Sequence, residues 1–523
     1  MNRRRALVAL SIGLFIALAG CASSSDSAPP PPEAASGPAC AQIFSTNDTH
    51  GRLLPAEQSW SEGRLVGGSA ALAGYARQAA DRAPECPLFV VSGGDIMQGT
   101  LISNLSDGAS TISAFNALGY DAAAIGNHEF DWGIDILRQR VEQADFAWLG
   151  ANIYETGTGD HPAWVEPWRI VEKDGVRVGF IGMTTTATPV VTRPVNVVGL
   201  DFHPISEALD RYIPEVRAEG VDFVVALMHE GGFCNSGVCE GEALEELAAA
   251  TERFDYAVTG HSHSRIDAEI DGVPVVQSFS NSTAYGLGRI DRDASGQVSA
   301  RLVEIRQTYV DEVTPDPAIA DLVGGFEGEV AHLVGRVVTT LSRAITKPRR
   351  GDLILGRIIA DAQRASTGTQ VALMNSGGIR RPLPAGDITF ATLFELQPFA
   401  NRMVTMNVSG AQLLAALDHG MTDAGADAQI SGMRAHFDPD APSGSRIIGA
   451  ELGDGTPIDP AGTYSLTVND FMATGGGGYT MFLDAMDIVD TGIVDLDALV
   501  EYLAARPRPL PLPTEPRWIA GGG

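Results

Sequence analysis

Five short apolar runs in this chain each stop at small or polar residues that lead into a group able to ligate a metal. Gln42–Ser45 leads into Asn47-Asp48-Thr49-His50-Gly51, Leu88–Val91 into Gly93-Gly94-Asp95, and Ala122–Ile125 into Gly126-Asn127-His128-Glu129. Phe223–Leu227 leads into Met228-His229-Glu230, and Tyr256–Thr259 into Gly260-His261-Ser262-His263. Apolar runs without alternation read as strands buried on both faces, the pattern of parallel sheets. In open α/β sheets the ligand site lies beyond the carboxyl ends of the strands. A chain that concentrates Asp, Asn and His at those ends is building a metal centre.

The residue types fit that chemistry. Divalent ions such as Zn²⁺ and Mn²⁺ take imidazole nitrogen and carboxylate oxygen, and two neighbouring ions need a bridging anion against their repulsion. Asp95, alone after its run, suits the bridge. Asp48 and His50 stand two residues apart, as do His261 and His263, and on a strand end of period two each pair would point one way. A single His or Asp after a strand is more often a cap or a satisfied core residue. Five such ends together outweigh that alternative.

A chain of 523 residues divides into two or three domains, and 44% hydrophobic with 19% charged residues marks it as globular. The net charge of −29 argues against a nucleic-acid polymer as partner, because no basic field attracts one. An anionic ligand must instead be drawn by metals and a few local arginines. At the N-terminus, Arg3, Arg4 and Arg5 precede the apolar run Ala6–Ala19 and then Cys21, a bacterial export signal too short for a membrane span. Leu18-Ala19-Gly20-Cys21 resembles a lipobox, in which the Cys becomes the lipidated first residue; ordinary signal cleavage nearby, with Cys21 incidental, is the alternative. The division expected is 1–21 signal, 22–38 a Ser/Pro-rich tether, and a lipid-anchored protein of the cell envelope, periplasmic or outer-membrane.

Cys40 and Cys86 precede the first two runs at nearly matched distances from Asp48 and Asp95, so adjacent strands would make them neighbours. Cys234 and Cys239 close a short loop after His229. Disulfides Cys40–Cys86 and Cys234–Cys239 are expected in an oxidising compartment, with metal ligation by these thiols the weaker alternative. Further on, Ile319, Leu322, Val323, Phe326, Val330 and Leu333 recur at helical spacing in Pro315–Val334, behind a potential Asp316 cap. That helix reads as a linker region, 314–346, between a first domain at 39–313 and a second at 347–523. The tail Arg506–Pro516 reads as an extended segment, a packed chain end, with partner binding the alternative.

The motifs Thr46–Gly51, Gly93–Asp95, Gly126–Gly133 and Gly260–His263, with Asn375-Ser376-Gly377-Gly378-Ile379-Arg380 in the second domain, resemble the 5′-nucleotidase family of calcineurin-like metallophosphatases, which includes periplasmic UDP-sugar hydrolases. The match runs in order from about Ala39 to about Pro513. It implies an α/β fold: an N-terminal metallophosphatase β-sandwich flanked by helices, a linker helix, and a C-terminal α/β substrate-binding domain. By resemblance Asp48, His50, Asp95 and His263 hold one divalent metal, and Asp95, Asn127, His229 and His261 hold the other. Some relatives carry Gln where this chain has His263. His128 and Asp131 would act beside the metals, the imidazolium stabilising charge on the phosphoryl oxygens; the alternative for His128 is a loop-fixing donor.

In the second domain the resemblance makes Arg349 and Arg380 anion contacts and counts Asn375 among the substrate-binding residues. It also places Phe399, Asn401 and Phe471 around a nucleobase, although without it both phenylalanines would read as core. One position departs from the pattern: Gly477 stands where relatives carry an Asp that holds ribose hydroxyls, leaving water or a neighbour such as Asp470 to substitute. The function implied is an exported dinuclear phosphohydrolase releasing phosphate from nucleotides, with UDP-sugar or dinucleotide hydrolysis within reach. The alternatives are a 2′,3′-cyclic-nucleotide phosphodiesterase, a thiosulfohydrolase-like relative, or a non-catalytic nucleotide-binding lipoprotein.

Overall fold

The computed structural model describes residues 37–58 and 60–521; the expected export signal, Cys21 and nearly all of the tether lie outside them. Among the described residues no helix is long and apolar enough to cross a membrane.

The five apolar runs are strands, but they divide between two sheets. Ala39–Thr46, Leu88–Ser92 and Ala122–Ala124 run parallel in one six-stranded sheet, completed by Ala147–Leu149 and by antiparallel Ala284–Arg292 and Val298–Gln307. Phe223–His229 and Tyr256–Val258 run parallel in a second, with Val176–Thr184 and Val273–Ser278 beside them and Arg265–Ile270 and Trp168–Lys173 at the edges. The reason for the unbroken apolar runs is visible in the alternation. Ile43, Phe89, Val91, Val225, Leu227 and Val258 point into the layer between the sheets. Phe44, Val90 and Ala123 point outward onto Leu72 and Tyr75 of the helix Ser69–Arg82 and Ile112 and Phe115 of Ala109–Leu118. Val224, Ala226 and Met228 do the same against the helix Ile205–Ala218. Four layers, helix–sheet–sheet–helix, therefore bury both faces of each central strand. The parallel register Gln42↔Leu88 brings the flanking cysteines together, and Cys40–Cys86 is a disulfide, as is Cys234–Cys239.

The expected helix is Pro317–Val334, capped by Asp316, whose carboxylate accepts from Ala318 N and Ile319 N. It buries Ile319, Val323 and Val330. Beyond it a five-stranded sheet runs in the order Ala428–Ser431, Val371–Asn375, Thr463–Asn469, Arg402–Ser409, Met486–Val494, covered on one face by the helix Gly410–His419 and on the other by Ile354–Thr367 and Asp495–Ala504. Its topology gathers three of the motif loops at one sheet end. Val371–Asn375 and Thr463–Asn469 are parallel neighbours, and Asn469 Nδ2 donates to Asn375 Oδ1 at 2.9 Å. The antiparallel neighbour starts at that end, pairing Met403 with Asn469, so Gln397–Asn401 arrives beside them. The extended tail packs Leu510 into the core and ends in Trp518–Ala520, which joins Met433–Phe437 as a strand.

Candidate metal centre

Period-two alternation does not explain the paired ligands. The strand Ala39–Thr46 ends before Asp48, and Tyr256–Val258 ends before His261. Asp48 (φ 47°), His50 (48°), Asp95 (52°), His261 (67°) and His263 (55°) all have left-handed backbones instead. Such angles are uncommon outside glycine and persist only where surrounding bonds over-determine them. Those bonds are present: Asp48 N donates to Gly94 O (2.9 Å), His50 N to Asp95 O (3.0 Å), Asn281 N to Asp48 O (2.7 Å) and His261 N to Asp48 Oδ1 (3.0 Å). The turns aim side chains inward that a pleated strand would send elsewhere. Close packing also accounts for the motif glycines: a Cβ on Gly94 would lie 2.7 Å from His229 Nδ1, and one on Gly126 would lie 2.3 Å from Asp95 Oδ1.

The seven expected ligands converge. Ligand atoms of Asp48, His50 and His263 lie within 4.8 Å of one another, as do those of Asp95, His229 and His261. Asp95 Oδ2 sits between the groups, 3.1 Å from His229 Nε2 and 3.8 Å from His50 Nε2. Asn127 Oδ1 lies 3.2 Å from His229 Nε2 and 3.0 Å from His261 Nδ1. The other ring nitrogens fix the tautomers. His50 Nδ1 donates to Gln98 O at 2.7 Å and His229 Nδ1 to Gly93 O at 2.8 Å, which turns both Nε2 lone pairs to the centre. His50 Nε2 and His263 Nε2 lie 3.0 Å apart, with Asp48 Oδ1 3.3 Å from the latter. Lone pairs and carboxylates gathered this closely, with no thiolate among them, suit divalent cations that accept nitrogen and oxygen.

Glu129, for which the sequence suggested no role, ties the loops together. Its carboxylate accepts from Gly126 N (2.7 Å), Asp95 N (2.9 Å) and Ile96 N (2.7 Å). Burial and the Asp95 charge push it up to about 7, against the pull of His229 and these N–H groups. His128 stands beside the ligands. Its backbone N donates to Asp95 Oδ1 (2.9 Å), and its ring Nδ1 donates to Asp131 Oδ2 (2.8 Å). Burial alone would depress the imidazolium, but Asp131 and Asp95 outweigh it and raise its pKa. Asp131 is itself held by Thr192 Oγ1, which donates to its Oδ1 at 3.1 Å.

The second domain supplies the opposite wall of one cavity of about 810 Å³, within the usual range for a small-molecule site. From the first domain Asp95, Asn127, His128, Asp131, His261 and His263 line it, and from the second Arg349, Asn375, Arg380, Phe399, Asn401 and Phe471. Asp48, His50 and His229 are buried beneath that wall. Asn104 Nδ2 donates to Pro398 O (2.7 Å) across the domains, and the Phe399 ring lies 5.5 Å from His128, nearly parallel at 21°. The Arg380 guanidinium lies 5.5 Å from the same phenylalanine ring. Asp470 pairs through Oδ2 with Arg193 of the first domain, and its Oδ1 has no partner among the described residues. Sequence reasoning missed Lys347, Arg350, Phe233 and Arg193 in the cavity wall. The run Lys347-Pro348-Arg349-Arg350, unusual in a chain this acidic, was the available signal for two of them; Phe233 and Arg193 carried none.

Comparison with known proteins agrees with this architecture. Residues 42–265 match the calcineurin-like phosphoesterase family and residues 331–484 the C-terminal domain of 5′-nucleotidases. The chain is 30% identical over 550 residues to the 5′-nucleotidase of Vibrio cholerae serotype O1, covering 95% of each. It is 28% identical over 503 residues to endonuclease YhcR of Bacillus subtilis, covering 91% of this chain but 40% of that protein. Among solved structures, the 5′-nucleotidase precursor of Thermus thermophilus superposes with a TM-score of 0.81 at 28% identity, over 92% of this chain and 99% of the other.

Proposed function

This chain belongs to the 5′-nucleotidase family of metal-dependent phosphoesterases, and from that premise we propose that it releases phosphate from nucleotides at a dinuclear centre. The observation that carries the reading is that one cavity joins the converging donors, His128 and two phenylalanines. Asp48, His50, Asp95 and His263 would hold one divalent ion, and Asp95, Asn127, His229 and His261 a second, with Zn²⁺ or Mn²⁺ suiting the donors. Ions bound there would supply Lewis acidity toward the phosphoryl oxygens and make water a stronger nucleophile at neutral pH.

The chain's own groups do the rest. His128, its Nδ1–H committed to Asp131, would present a protonated Nε2 to a phosphoryl oxygen, where its charge counts most as negative charge spreads in the transition state. Arg380 offers a planar fork to the phosphate or an oxygen beside it. Phe399 and Phe471 would stack the base, with Asn375 and Asn401 supplying polar contacts at its edges. With the divisions 39–313, 314–346 and 347–523, the site would lie between the first and last. Export and a lipid anchor at Cys21 belong to the same reading and are supported by Leu18–Cys21 and the two disulfides.

The test is hydrolysis by the metal-loaded protein of AMP, a UDP-sugar and 2′,3′-cyclic AMP, with inorganic phosphate and the nucleoside and nucleotide products both read. Phosphate from AMP is expected. Turnover of the cyclic compound with AMP left intact would overturn the reading, and an unmodified N-terminus downstream of Cys21 in the mature protein would overturn the anchor.

A further inference from the structure

A hairpin of the first domain reaches the second. Phe233–Asn235 pairs with Val238–Glu240 around Ser236 (φ 51°) and Gly237 (φ 84°), two left-handed residues that make the tight two-residue turn of a twisted hairpin. The Cys234–Cys239 disulfide joins its strands. Its base is held at Gly232, whose carbonyl accepts from Ser262 Oγ (2.8 Å) and Ser264 Oγ (2.5 Å). Cys234 packs inward against the core that contains Ile266. By strand alternation Phe233 then points the other way, into the cavity wall. There the Arg349 guanidinium lies 4.4 Å from the centre of its ring.

Arg349 is exposed and, among the described residues, makes no ion pair with a carboxylate. A free arginine loses rotamer entropy whenever it grips an anion. A ring across its flat face removes part of that cost beforehand and leaves the edge N–H groups free. We propose that Phe233 is a positioning residue that holds Arg349 ready for the anionic part of the substrate, and that the disulfide-closed hairpin exists to present it. The inference rests on the nucleotide reading only for what Arg349 grips; the pairing of Phe233 with Arg349 stands on geometry.

Steady-state kinetics on AMP and the rate of phenylglyoxal labelling at Arg349, read by mass spectrometry in the full metal-loaded chain, test it together. Phe233→Ala is expected to raise KM about fivefold with kcat and metal content unchanged, and to speed labelling of Arg349. Phe233→Trp should restore both, whereas Phe233→Leu, which keeps apolar bulk but no aromatic face, should behave like Phe233→Ala. In an Arg349→Ala background the Phe233→Ala step should add nothing to KM. The joint variant Cys234→Ser/Cys239→Ser should act in the same direction more weakly. An unchanged KM in Phe233→Ala, full rescue by Phe233→Leu, or an undiminished effect in the Arg349→Ala background would each overturn the proposal. A wild type that leaves every nucleotide intact fails the nucleotide reading instead, and the labelling rates still decide the pairing.

Discussion

The two walls of the cavity are built on opposite principles. On the first-domain wall Asp48 and His229 are 0% exposed and Asp95 and Asn127 1%, and five of the seven expected ligands sit in left-handed turns fixed by backbone bonds. On the second-domain wall the charged groups are long, half-buried or exposed, and few are paired. Arg350 has Asp427, while Arg349 and Arg380 rest against aromatic rings. A metal centre needs fixed geometry, because ligand atoms displaced by a fraction of an ångström lose coordination. A wall that accepts different nucleotides gains from side chains able to adjust. The contrast predicts that changes on the first wall abolish turnover and changes on the second redistribute affinity.

The largest effect tests the rigid side. Asp95→Ala removes the oxygen lying between both donor groups, so bound metal and activity should fall together, activity by at least about 10³-fold. Elemental analysis of purified protein checks it; an active variant without metal would break the dinuclear reading. Next comes His128→Ala, expected to lower kcat by about 10²–10³-fold while KM and metal content hold, since its charge matters most in the transition state. Loss of metal with normal turnover per remaining centre would make His128 a ligand.

The same contrast separates what the sequence disclosed from what it hid. Strand ends such as Val90-Val91-Ser92 before Gly93-Gly94-Asp95 were legible, because a strand buried on both faces leaves an unbroken apolar run that stops where the polar site starts. The assignment of those strands to two sheets was not, since periodicity carries no partner information. Nor were the left-handed turns at Asp48 and His261, because Asp and His lack the Gly signature that marks φ > 0. Arg380 was found through its glycine-rich motif. Phe233 was not, because its role depends on Arg349 in another domain, a contact that no local pattern encodes.

A third change sharpens specificity on the adjustable wall. Gly477 is left-handed (φ 64°, ψ 15°), and a Cβ there would meet Phe471 Cε1 at 3.4 Å, ordinary contact. The left-handed backbone strains any side chain there, but Asp tolerates it better than most residues, so Gly477→Asp meets no clash and places a carboxylate at the glycine turn. The wild type should separate AMP from dAMP weakly, since Gly477 offers no side-chain acceptor and Asp470 already shares its charge with Arg193 through Oδ2. The variant should favour AMP by about tenfold more in kcat/KM, within the range of a single charge-assisted hydrogen bond. A wild type that already prefers AMP by about a hundredfold would mean that another group holds the diol.

The smallest effect isolates one cation. Lys347 lines the cavity and is pushed down to about 8, first by burial and then by Arg380, Arg350 and Arg349, with Asp427 opposing. It is charged below that value and loses its charge as pH rises through it, so attraction for an anion should fade between pH 7 and 9. A phosphate monoester has its second pKa near 6 and stays dianionic throughout, so substrate ionisation cannot mimic the trend. KM for AMP should rise about fivefold from pH 7 to pH 9, the worth of one partly exposed charge pair. Lys347→Met should flatten that rise and show at pH 7 the weaker affinity of the wild type at pH 9. A KM that is level in the wild type, or that still climbs in Lys347→Met, would remove Lys347 from the anion contacts and leave the wall's affinity to its arginines, whose charge does not change in this window.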